Sequence, residues 1–70
     1  MLSLKDYRIR ADLTQDYVAS RLNLDQAAVS HWETGKNRPP RKHHAALCQL
    51  YGVTPEELHA AIYGEETPVV

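Results

Sequence analysis

Gln26, Ala27, Ser30 and His31 carry the spacing with the clearest chemical meaning in this chain of 70 residues. At about 100° per residue they share one face of a helix, opposite Val29 and Trp32. A helix face that is merely solvated usually carries Lys and Glu, whereas this one has short or hydrogen-bonding side chains and no charge. That composition suits the major groove of duplex DNA. Gln makes paired hydrogen bonds to adenine, Ala touches a thymine methyl, and Ser or His reaches a base or a phosphate. The competing reading is an ordinary polar surface.

Other reactive side chains organise less well. His43, His44, Cys48 and His59 raise the question of zinc, since His44 and Cys48 stand one helical turn apart. No four-ligand spacing accompanies them, so neither a metal nor a cofactor is expected. A Cys with scattered His residues is not a catalytic triad unless the groups converge, and helix phase gives no reason for Cys48 to meet His31. So short a chain also leaves little room for a substantial cleft, and no enzyme is expected. Trp32 is in phase with Val29, which makes it a core residue with one exposed edge rather than a base-stacking aromatic.

The elements that must position these residues are helical. Leu4, Tyr7, Val18, Leu22, Val29, Trp32, Leu47, Leu50, Leu58 and Ile62 recur at helical steps, and no window alternates long enough for a convincing strand. Thr14, Asp25 and Thr54 with Pro55 and Glu57 mark N-termini, the last as a capping box. Asn23, Gly35 and Gly52 supply left-handed stops, and Pro39-Pro40 forbids continuation. The expected fold is all-α, with five helices at about 2 to 11, 14 to 22, 25 to 34, 41 to 51 and 55 to 63. Residues 1 to 64 make one domain, and 65 to 70 a short tail. Helices joined through Asn23-Leu24-Asp25 must cross steeply, as in a helix-turn-helix unit, with Ala19 small where they approach.

Composition bounds the partners. The net charge is −1, yet all eight Lys and Arg lie in residues 1 to 44, leaving the remainder acidic through Glu56, Glu57, Glu65 and Glu66. Such segregation offers a basic face to phosphate while the other end is repelled from it. The single Cys48 forms no internal disulfide, and with no apolar run of membrane length and no signal-peptide pattern, a cytoplasmic protein without a membrane partner is expected.

Five motifs then occur in order: Leu4-Lys-Asp-Tyr-Arg8, Leu13-Thr-Gln-Asp-Tyr-Val-Ala19, Val29-Ser-His-Trp-Glu33, Gly35-Lys-Asn-Arg-Pro39 and Leu50-Tyr-Gly-Val-Thr-Pro-Glu-Glu-Leu58. Together they resemble the phage Cro and repressor helix-turn-helix family over about residues 4 to 62. The resemblance implies a five-helix, lambda-repressor-like domain whose third helix reads the major groove. It places Gln26, Ala27 and His31 at base-reading positions. Gln15 falls where it would contact phosphate or brace Gln26, Ser30 takes a backbone or bracing role, and Lys36, Asn37 and Arg38 lie in the loop that follows the phosphates. Arg8 and Glu33 match positions that pair helix 1 with the end of helix 3, and Cys48 matches a small core position. The chain departs from the family's pattern at Asn23, where Gly is common, and in its longer Pro39-Pro40 stretch.

The function expected is therefore a sequence-specific transcriptional regulator, repressor or Cro-like, bound as a homodimer to a palindromic double-stranded operator. Leu58, Ile62, Tyr63, Val69 and Val70 are the apolar surplus expected to pair two copies. The rival is a protein-interaction module on the same fold, an antitoxin or anti-repressor, with a protein partner at the acidic C-terminal end.

Overall fold

The computed structural model describes residues 2–64, all of whose regular structure is helical. Helices α1 (Leu4–Arg10), α2 (Gln15–Leu22), α3 (Gln26–Thr34), α4 (His44–Tyr51) and α5 (Pro55–Tyr63) follow in order, with a 3-10 turn at Arg41–His43 leading into α4. The expected tail at 65 to 70, with Val69 and Val70, lies outside the described residues.

Capping chemistry explains most boundaries. Thr14 accepts from the Tyr17 amide at 3.0 Å, and Thr54 and Glu57 exchange the two bonds of a capping box at 3.1 and 2.9 Å. The expected first helix at 2 to 11 is shorter at both ends. Ser3 sits outside it and forms a second capping box with Asp6, whose carboxyl the Ser3 bonds hold below the usual range. At the other end Asp12 is left-handed, at φ 62°, which ends the helix before it.

Helix 4 also differs from the expected 41 to 51. Pro40 has no side chain to cap the following amides, so the His43 amide bonds back to the Pro40 carbonyl at 2.9 Å in a tight turn. Asp25 holds the N-cap backbone of α3, but its carboxylate makes no capping bond and the helix begins at Gln26.

Between α2 and α3, Asn23 adopts φ 62°, and the next amide, Leu24, bonds to the Ala19 carbonyl at 2.8 Å. This closes α2 and turns the chain in three residues. Gly35 and Gly52 end α3 and α4 in the same left-handed region. Leu4 and Tyr7 of α1, Val18 and Ala19 of α2, Val29 and Trp32 of α3, Leu47 and Tyr51 of α4, Val53 and Leu58 form the core. Val18, Val29, Leu47 and Leu58 are its fully buried large side chains, and removing each from water contributes about 1.5 to 3 kcal/mol.

Leu58 does not belong to the apolar surplus expected to pair two copies, because it is only 1 % exposed within the single chain and has no surface to offer a second one. Its place at the fourth position of α5 points it inward beneath α4, while Ile62 is half-buried and Tyr63 exposed.

Candidate nucleic-acid interface

Val29 and Trp32 anchor α3 through its inner face, and that fixes which residues remain outside. Gln26 and Ala27 are exposed in its first turn, Ser30 and His31 are half-buried along the same side, and Lys36, Asn37 and Arg38 are exposed in the loop beyond. The anticipated face is thus contiguous, with its outermost side chains at the N-terminal end.

A polar network fixes that end. Arg8 of α1 donates from Nε and Nη2 to the two carboxylate oxygens of Glu33 at 2.6 and 3.2 Å, and from Nη1 to the Leu13 carbonyl at 2.9 Å. The pair is largely withdrawn from water, with side chains 12 % and 4 % exposed. Planar guanidinium and carboxylate meet here edge to edge, the geometry in which such pairs are strongest. The hydrogen bonds to Glu33 raise the Arg8 pKa, against the opposing effect of burial. Gln15 Nε2 also donates to Glu33, at 2.9 Å, and the Gln15 carbonyl oxygen in turn accepts from Gln26 Nε2. Helix α1 thereby holds Glu33, Glu33 orients Gln15, and Gln15 orients Gln26. An amide whose one edge is engaged this way presents its other edge outward in a defined orientation.

The loop beyond α3 is fixed by different means. The His31 carbonyl accepts from Lys36 at 3.0 Å and Asn37 at 3.3 Å, curling the chain over the end of α3. Pro39 is buried, and its carbonyl lies 3.1 Å from His44 Nε2. Arg38 lies between these anchors with its guanidinium carbon 4.8 Å from the centre of the Tyr63 ring.

Two shallow grooves flank the exposed end of α3. One runs among Lys5, Arg8, Thr14, Gln15, Asp16 and Gln26. The other joins Leu24, Ala28 and Trp32 to Arg38, Lys42 and His43. The sequence reading assigns Lys5, Lys42 and Tyr63 no part in this surface. Their approach to it depends on how α1, α4 and α5 pack, and no spacing within one helix signals it.

The remaining reactive groups are dispersed. The His43 ring lies 6.1 Å from that of Trp32 and is tilted by 40°, His44 bonds to Pro39, and His59 lies 4.4 Å from Tyr63. Among the described residues no three His, Cys, Asp or Glu converge as metal ligands. Burial pushes the Cys48 thiol up, away from the thiolate a nucleophile requires.

Comparison with known proteins agrees with the all-helical fold. The profile of the family described as "Helix-turn-helix domain" matches residues 2–61. The chain is also similar to the HTH-type transcriptional activator BcrR of Enterococcus faecalis, at 33 % identity over 63 residues. That match takes in 90 % of this chain and 29 % of the relative, so the chain spans under a third of the relative's length. No solved structure matches the chain significantly.

Proposed function

The chain belongs to the helix-turn-helix domain family, and from that membership we propose that it is a sequence-specific DNA-binding regulator of transcription whose α3 enters the major groove. The observation that carries the reading is the uncharged outer face of α3, with Gln26 oriented by Gln15. Gln26, Ala27 and His31 read base edges, while Ser30, Lys36, Asn37 and Arg38 follow the backbone and Gln15 braces the reader. The order of motifs supports a repressor or Cro-like mode on a palindromic operator, acting in the cytoplasm by excluding or recruiting polymerase. The BcrR resemblance supports transcription regulation more broadly.

Duplexes selected from a random pool, then varied one base at a time and measured at several salt concentrations, test the assignment. Gln26→Ala and His31→Ala are expected to relax preference at one or two positions, at about 1 to 3 kcal/mol where a good paired contact is lost. Lys36→Ala and Arg38→Ala are expected to weaken all duplexes nearly equally and lower the salt slope by roughly one unit each. The reverse pattern, with helix variants weakening evenly and loop variants changing base preference, rejects α3 as the reader.

A further inference from the structure

We infer that Tyr63, the last residue of α5, is a positioning residue for DNA binding, holding the Arg38 guanidinium ready for a phosphate. The inference rests on the DNA-binding reading above and adds to it a residue from the opposite end of the chain.

The backbone at Arg38 is defined before its side chain is considered. Gly35 turns the chain out of α3, the His31 carbonyl gathers the Lys36 and Asn37 amides, and Pro39 restricts the residue before it to extended conformations. Burial of Pro39 and the approach of His44 to its carbonyl fix the exit. What remains free is the long side chain, which carries substantial rotamer entropy that a phosphate contact must otherwise remove.

Tyr63 reduces that freedom. Its ring centre is 4.8 Å from the Arg38 guanidinium carbon, within the range at which a cation over an aromatic face is attracted. An aromatic ring attracts the cation without a carboxylate's claim on its N–H groups, which stay available to a phosphate. A carboxylate partner would consume those donors instead. Among the described residues the carboxylate ion pair is Arg8 with Glu33, and it does not involve Arg38.

The ring itself is steadied. His59 lies one turn earlier on α5, its ring centre 4.4 Å from that of Tyr63 and tilted by 41°. Tyr63 remains 39 % exposed, so it contributes less to the core than Leu58 on the same helix, which is 1 % exposed. An exposed aromatic in contact with an imidazole and a guanidinium orients side chains more than it stabilises the fold.

The test compares wild type with Tyr63→Ala, Tyr63→Phe, Arg38→Ala and the Arg38→Ala/Tyr63→Ala double variant, using one selected duplex and one unrelated duplex over a salt series. Tyr63→Ala is expected to weaken both duplexes on the order of two- to fivefold, the range of an exposed cation–aromatic contact. The salt slope should stay at the wild-type value, since Arg38 still reaches its phosphate. Tyr63→Phe keeps the ring and should bind as wild type, and Tyr63→Ala should add nothing in the Arg38→Ala background. In the free protein, ring-current shifts of the Arg38 side-chain resonances should vanish in Tyr63→Ala and persist in Tyr63→Phe.

Wild-type affinity in Tyr63→Ala, a loss that persists without Arg38, or a Phe variant as weak as the Ala variant overturns the inference. If Arg38→Ala changes neither affinity nor slope, the backbone role of Arg38 fails and the inference fails with it. If Arg38→Ala lowers both while Tyr63→Ala changes neither, only the inference falls.

Discussion

Tyr51 lies in the core at 4 % exposure, within electrostatic reach of both members of the Arg8–Glu33 pair. Burial pushes its phenol up to about 12; the Glu33 carboxylate adds to the rise and Arg8 opposes it. A raised pKa means that the fold prefers the neutral phenol, so the contribution of Tyr51 is complete below the ordinary value near 10. It is lost as the pH climbs from there toward 12. The loss should be on the order of 2 kcal/mol, because a tenfold change in proton affinity corresponds to roughly 1.4 kcal/mol. Denaturant midpoints should therefore fall steeply between pH 10 and 12 in wild type and much less in Tyr51→Phe, with near-equal stability at neutral pH. A Phe variant that loses stability over that interval as steeply as wild type would remove Tyr51 as the cause. The same burial holds Glu33 in place: a carboxylate taking donors from Arg8 and Gln15 cannot turn away without stranding charge, so Gln15 keeps its orientation against Gln26.

At the scale of elements, Arg8 and Glu33 join α1 to the end of α3 across 25 positions of sequence. Exposed pairs contribute 0 to ~1 kcal/mol, whereas removing one partner of a buried pair costs roughly 3 to 5 kcal/mol. Arg8→Ala should fall near 3 kcal/mol, the low end, because Gln15 still donates to Glu33, and Glu33→Gln should exceed ~1 kcal/mol. Equilibrium unfolding in urea measures both, and midpoints equal to wild type in both variants would reject the pair as a fastening. Which features the sequence reveals follows from how local their chemistry is. Thr14, Thr54, Asn23, Gly35 and Gly52 act on atoms within a few residues, and their helix ends are readable directly. The Ser3 box is hidden because Asp6 replaces the usual Glu or Gln, and the turn at Arg41–His43 because an uncapped start has no residue to announce it. The outer face of α3 is visible as periodicity, and the Gln15 brace through family resemblance. The Arg38 contact with Tyr63 is not visible, since it depends on where α5 ends against a loop 25 residues earlier.

For the whole molecule, charge segregation and symmetry decide how two copies would meet DNA. The acidic end is partly accounted for by folding itself, because Glu57 closes the α5 capping box and Glu56 lies in the same first turn, where negative charge favours the helix. That use of acids weakens the case for a dedicated protein-docking surface there and leaves their repulsion from phosphate as a guide to orientation. A two-fold arrangement has to place two α3 helices in successive major grooves on one side of the duplex, which sets half-site centres roughly 34 Å apart. With Leu58 committed to the core and Tyr63 engaged by Arg38 and His59, the described end of α5 offers half-buried Ile62. Pairing through so small an apolar area should be weak in free solution and gain from simultaneous occupancy of the two half-sites, since the duplex raises the effective concentration of the second copy. Sedimentation should therefore show mainly single copies at micromolar protein without DNA and two copies per palindromic duplex with it. Inserting half a helical turn between the half-sites should abolish that cooperativity while each half-site alone still binds. Equal two-copy binding at either spacing would mean that the copies do not touch, and one copy per duplex at saturation would mean that the domain binds as a monomer.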